Sequence, residues 1–251
     1  VLNQTLVVAR KEIIDHLRET RSLWASAAHL LMGPVIVALV LYSLKNAPHA
    51  KTVEVIGSMA AIFLLVSAFT GGMNVSMDML AGERERRSLL PLLLNPVSRI
   101  CVIMGKWLAI SIFAAAGVLL TFVAFAAVFR VAGIPLPPFS RALFALLPLA
   151  GLAAAVQLTI STYCRTAKEA QTYLSMLIFL PMGIAMFMVF LAPHPAPWIL
   201  ALPIIGQQAL LTAAPLSPVA PLLLLVTLWC TALVLQYSAS LLERDEIVYG
   251  H

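Results

Sequence analysis

Long apolar runs alternate with short polar gaps along the chain. Each run approaches the ~20 residues that a helix rising 1.5 Å per residue needs to cross ~30 Å of hydrocarbon. The pattern predicts six spanning helices, at about Ser22–Leu44, Val53–Met77, Lys106–Phe129, Ala142–Tyr163, Thr172–Leu191 and Ser217–Ser238. The expected architecture is an all-α membrane protein with an N-terminal segment at 1–21, a transmembrane body at 22–238 and a tail at 239–251.

Three segments depart from the simple span-and-gap pattern. Before the first span, Leu2, Leu6, Ile13 and Leu17 share one helical face while Arg10, Lys11, Asp15, Arg18 and Glu19 occupy the rest, which predicts an amphipathic helix lying in the membrane interface. Gly33-Pro34, Gly71-Gly72, Pro148 and Pro181 fall inside predicted spans, where glycine permits close approach and proline removes a backbone hydrogen bond. The stretch from Pro193 to Thr212 carries no Lys, Arg, Asp or Glu, yet its prolines interrupt it too often for a full span. It is expected to form a re-entrant or interfacial hairpin, at about 195–214.

Composition agrees, at 61% hydrophobic and 11% charged, and the formal net charge is +5. The distribution of that charge matters more than its sum. Arg10, Lys11, Arg18, Arg21, Arg84, Arg86, Arg87, Arg99, Lys106, Arg165, Lys168 and Arg244 fall on one side of the expected spans, against Lys45, Lys51, Arg130 and Arg141 on the other. By the positive-inside rule both termini are cytoplasmic, and the basic excess reports topology rather than a nucleic-acid surface. The polar first 21 residues do not read as a signal peptide. Cys101, Cys164 and Cys230 have no ligand spacing and read as free thiols.

Chemistry that would make the chain an enzyme is hard to find. There is no G-x-x-x-x-G-K-[ST] phosphate loop, no H-E-x-x-H and no G-x-S-x-G turn, and the five histidines are scattered. Asp78, near the cytoplasmic end of the second span and one turn beyond Asn74, is the main intramembrane ionisable candidate; it either receives a cation or anchors the helix end. With Ser67, Thr70, Asn74 and Gln157 it makes up a candidate substrate path.

The densest charge lies at Glu83-Arg-Glu-Arg-Arg87, just past the second span. Ser88 reads as an N-cap, and Leu89 to Leu94 as a short apolar helix ended by Asn95-Pro96. Beside the charged island, this segment is either a docking element, at about 83–96, or a solvated loop with a membrane-dipping turn.

The run from Asp78 through Ala-Gly-Glu-Arg-Glu-Arg-Arg-Ser-Leu89 to Asn95-Pro-Val-Ser-Arg99 and Gly105-Lys106-Trp107 resembles the signature of ABC type 2 exporter permeases, in particular the sodium-extrusion branch. Ala9 to Arg21 is similar to that family's elbow helix, Ser161 to Tyr173 to its fourth-to-fifth cytoplasmic turn, and Leu202-Pro-Ile-Ile-Gly206 to its external hairpin. Two features depart from the pattern. Members often carry a large external domain between the first two spans, where this chain has only about Lys45 to Thr52, and Leu90 stands where an acidic residue is common.

The resemblance implies a type V exporter fold and a permease half in the bacterial inner membrane. It would pair with a second copy or paralogue and with two ABC ATPase subunits, which carry the ATP and magnesium. The island would be the coupling helix, with Glu83, Arg84, Glu85, Arg86 and Arg87 as polar contacts to the ATPase and Leu89, Leu92 and Leu93 as its apolar key. The exported substrate is open among sodium, a drug-like amphiphile, a peptide and a lipid. Competing readings are a membrane scaffold that recruits a cytoplasmic protein, and an intramembrane peptidase, for which Glu83 and Glu85 are poorly placed.

Overall fold

A computed structural model describes residues 2–44, 49–88, 98–134, 139–190, 196, 198–212 and 219–242. Leu89, Leu92 and Leu93, the rest of the expected coupling helix from 89 to 96, both edges of the expected hairpin and most of the tail lie outside them. The described residues are helical, with no strand among them: α1 Leu2–Arg18, α2 Thr20–Ser43, α3 His49–Thr70, α4 Met73–Met77, a π-helical turn Asp78–Gly82, α5 Glu83–Glu85, α6 Arg99–Ala132, α7 Phe139–Tyr163, α8 Ala167–Leu177, α9 Phe179–Phe190, α10 Ile205–Thr212 and α11 Ala220–Leu241.

Among the described residues six helical stretches are long and apolar enough to cross a membrane: Thr20–Ser43, Val53–Glu85, Arg99–Ala132, Ser140–Tyr163, Ala167–Met188 and Ala220–Leu241. Each overlaps an expected span, but two are longer. The second continues through the π turn into the charged island, and the third begins at Arg99, two turns before Lys106. At 34 residues α6 is about 50 Å long, well beyond the hydrocarbon thickness. Lys106 therefore lies inside the helix rather than at its mouth.

The α6 helix forms the centre of the fold, packing on α1, α2, α3 and α7, while α7 in turn packs on α11, α3 and α10. Small residues permit these crossings. A Cβ on Gly117 would come within 2.8 Å of Gly71 Cα, and one on Gly71 within 3.0 Å of Ala114 Cα. The Gly71-Gly72 pair also separates α3 from α4, so it provides both the break and the close approach.

The prolines behave differently from one another. Pro34 and Pro148 sit inside unbroken helices. Pro181, which cannot donate to the carbonyl four residues back, accompanies the interruption between α8 and α9 at Ile178.

The helix ends follow local chemistry. Ser98 accepts from Cys101 N–H to cap α6, whose far end closes on Gly133 at φ 68°. Thr166 accepts from Glu169 N–H to cap α8.

The amphipathic α1 packs the opposite way from a helix on a soluble core. Thr5, Ala9, Glu12 and His16 are buried against the bundle, whereas Leu2, Leu6 and Leu17 are exposed. Of the apolar set, Ile13 packs against the core, beside a cluster containing Ile103 and Ala109. An outward apolar stripe and an inward polar one suit a helix bordered by lipid.

In the region expected to be a hairpin, a 3₁₀ turn at Ile199–Ala201 precedes the eight-residue α10, which is too short to span. Its Gly206, Gln207, Gln208, Leu210 and Leu211 are buried. Gln207 holds the turn by accepting from Ile204 N–H at 2.5 Å and donating to Thr227 Oγ1 at 3.1 Å.

Candidate functional site

The charged island converges on a network that starts from Lys106. Its ammonium is fully buried (0% exposed) and lies 3.0 Å from Glu12 Oε1 of α1 and 2.8 Å from Glu83 Oε1 of α5. Gly105 makes this reach feasible. A Cβ there would stand 2.7 Å from Val8 Cβ and 3.0 Å from the Thr5 carbonyl oxygen, so only glycine lets α1 lie this close to α6. Burial alone would raise the Glu12 pKa. The Lys106 charge and hydrogen bond, with Lys11 and His16, outweigh that and hold it below the ordinary carboxylate value.

The neighbouring island residues secure the α7–α8 turn. Arg84 donates from Nη1 to the Cys164 carbonyl at 2.5 Å and from Nη2 to the Thr162 carbonyl at 2.9 Å, placing a cation on the orphan carbonyls at the end of α7. Glu85 Oε2 accepts from Ala167 N–H at 2.9 Å, placing an anion on the first turn of α8. Glu169 Oε2 accepts from Arg165 N–H at 2.8 Å and completes the turn. Next to Arg84, burial together with the Glu169 charge pushes the Cys164 thiol up to about 11, which makes it a packing group rather than a nucleophile.

The island hangs from the π turn. Ser161 Oγ of α7 accepts from both Leu80 N–H at 3.3 Å and Ala81 N–H at 3.2 Å, two donors presented to one hydroxyl where the helix widens. Arg86 pairs with Asp78 at 3.2 Å. Arg87 sits at φ 56°; its N–H bonds the Arg84 carbonyl and Ser88 N–H the Glu83 carbonyl, the pattern of a Schellman turn with arginine where glycine is usual. Ser88 Oγ also donates to the Glu83 carbonyl at 3.2 Å, so among the described residues it closes the preceding helix.

The eight expected coupling residues thus differ in their surroundings. Glu83, Arg84, Glu85 and Arg86 each have a side-chain partner inside this chain, Glu85, Arg86 and Arg87 are exposed, and the three leucines fall outside the described residues.

The candidate path residues engage separate partners. Ser67 and Thr70 turn their hydroxyls onto carbonyls of their own helix. Asn74 donates to Ser26 Oγ at 2.7 Å, tying α4 to α2, and Gln157 donates to the Phe69 carbonyl beside the helix break. The second oxygen of Glu83 and Gln157 Oε1 are buried without a hydrogen-bond partner.

Sequence reasoning put the intramembrane charge at Asp78 and used Lys106 to count topology and as part of the family resemblance, with no partner assigned to it. Glu12, Lys106 and Ser161 are the residues it missed. The available signal was a lysine followed by an uninterrupted apolar run, since a charge so placed needs a partner. The carboxylate 94 positions away could not be paired with it from spacing.

Residues 6–227 match the family described as ABC-2 family transporter protein. Over 144 residues the chain is 35% identical to the ABC transporter permease protein NatB of Bacillus subtilis (strain 168), an alignment that takes in 53% of this chain and 37% of that protein. With six membrane-length helices, no strand among the described residues, and a family match that runs from α1 into α11, this multi-pass membrane protein belongs to the ABC-2 family of transporter proteins.

Proposed function

We propose that the chain is the transmembrane permease subunit of an ATP-binding cassette exporter, driven by ATP hydrolysis on separate ATPase subunits. The observation that carries this is the family match across 6–227, which includes the island and every element joined to it. Two ATPase subunits and a second permease copy or paralogue complete the assembly, in a bacterial inner membrane with both ends on the cytoplasmic side. ATP and magnesium sit on the partner. The relative's name, a NatB permease, makes sodium a candidate substrate, with a drug-like amphiphile as the second.

Within this reading the island has two layers. Arg86 and Arg87, with Leu89, Leu92 and Leu93, face the ATPase. Glu83, Arg84 and Glu85 root the docking segment in α6, α7 and α8, so that displacement of the segment is carried into the bundle. Such packed, ion-paired elements move as units between discrete arrangements rather than deforming continuously.

The chain purified alone should hydrolyse no ATP, and coexpression with its ATPase should yield a stable complex whose turnover responds to substrate. Arg86→Ala combined with Leu92→Ala should leave the chain inserted and the ATPase active while abolishing transport into vesicles. Full transport by that variant would remove the docking role, and ATP hydrolysis by the chain alone would remove the subunit reading.

A further inference from the structure

We propose that His16, Glu19 and Asp78 form a binding site for a first-row divalent metal ion of the zinc type. One imidazole nitrogen and one oxygen from each carboxylate lie within 4.8 Å of one another. Zinc with ligands at about 2.0–2.1 Å in a tetrahedron holds them roughly 3.3 Å apart, so closure needs only a side-chain adjustment, and Glu19 is exposed.

The second observation is the state of the imidazole. His16 is only 8% exposed and its ring makes no hydrogen bond among the described residues; the ring contact is edge-on to Phe113 at 6.2 Å. The ring of this nearly buried residue has no hydrogen-bond partner among the described residues, it borders an open cleft, and its ligand atom stands within reach of two carboxylates. The same histidine borders a cleft of about 130 Å³ that Ser22 and Ser26 also line, which gives room for a fourth, water ligand. Glu19 is the N-cap residue of α2 but makes no side-chain capping bond, so helix capping does not account for its carboxylate.

The donor set selects the ion class. One imidazole with two carboxylates suits zinc and its neighbours, whereas calcium and magnesium prefer oxygen alone. The ligands come from the last turn of α1, the α1–α2 junction and the first residue of the π turn. A bound ion would clamp the N-terminal helix to the root of the island and draw Asp78 away from Arg86. Their pair is mostly solvent-exposed on the arginine side and has little to lose. Arg86 would then be released next to the docking segment, giving the metal a means of altering coupling.

Calorimetric titration of zinc into the full chain in detergent tests the site without any ATPase, so its failure is distinct from failure of the permease reading. The expected result is one equivalent bound at micromolar or tighter, weakened at least about tenfold by His16→Ala and by Glu19→Gln, unchanged by His29→Ala, and not displaced by calcium. The exposed position of Glu19 keeps the test valid if His16→Ala fails to fold. Binding that both variants leave intact, no binding at about 1 mM zinc, or displacement by calcium would each overturn the proposal.

Discussion

At the scale of single residues, Lys106 has the largest energetic stake. It is the one ammonium between two largely buried carboxylates, and removing it leaves both without their main counter-charge. Breaking a buried pair by deleting one partner costs about 3–5 kcal/mol, whereas replacing all members with neutral groups of similar shape is close to neutral. Lys106→Met should therefore lower stability by about that amount, and the triple change Glu12→Gln, Lys106→Met, Glu83→Gln should recover most of it, measured as detergent unfolding midpoints. The pH dependence has a definite sign. Glu12 has a folded pKa below its ordinary 4.5, so its contribution is complete above pH 4.5 and is lost as pH falls through the lower folded value. Wild type should therefore lose stability relative to the triple variant on acidification, and a gain relative to it would contradict the ion-pair assignment.

Among elements, α1 and the α7–α8 turn show why charge in this chain is placed where it is. The outward stripe of α1 is apolar and its inward stripe carries Glu12 and His16, so the helix is held by an ion pair and by close backbone approach more than by burial of its leucines. Gly105 controls that approach. Gly105→Val should force α1 away from α6, separate Glu12 from Lys106 and cost about 1–3 kcal/mol as an overpacking change. Faster proteolysis within α1 would report the same event, and an unchanged protease pattern would argue against the contact. The α7–α8 turn is closed by Arg84 and Glu85 from a distant segment, each complementing the dipole of the helix end it meets. Residues that resemble a surface patch in the sequence are, in the fold, helix caps supplied from elsewhere in the chain.

For the whole molecule, contacts among the described residues place the island, the α1–α2 junction and the α7–α8 turn at one end of the bundle. Arg99 at the start of α6 supports this by donating to the Leu242 carbonyl after α11, at 2.6 Å. Single cysteines at Glu19, Ser88 and Thr166 in a background lacking the native thiols should label from one side of sealed vesicles, and a cysteine at Gly133 from the other. A split among the first three would overturn the six-span topology.

The number of spans, their approximate limits and the membrane class were legible in the sequence because hydrocarbon imposes a length and a polarity that any 20-residue window exposes. The island was legible as a cluster for the same reason, charge being scarce at 11%. Its partners were not. Glu83 with Lys106, Arg84 with Thr162 and Cys164, and Glu85 with Ala167 join segments far apart in the chain, and no local period encodes such pairings. The true start of α6 was also hidden, because Lys106 reads as the charged mouth of a span, and the apolar run Ile100 to Met104 before it as outside that span, until α1 is seen to cover it. Local composition determined that this chain lives in a membrane and exposes a charged turn. Only the tertiary structure decided which of those charges face outward, because inside a low-dielectric bundle each buried charge must find its counter-charge wherever the fold brings one.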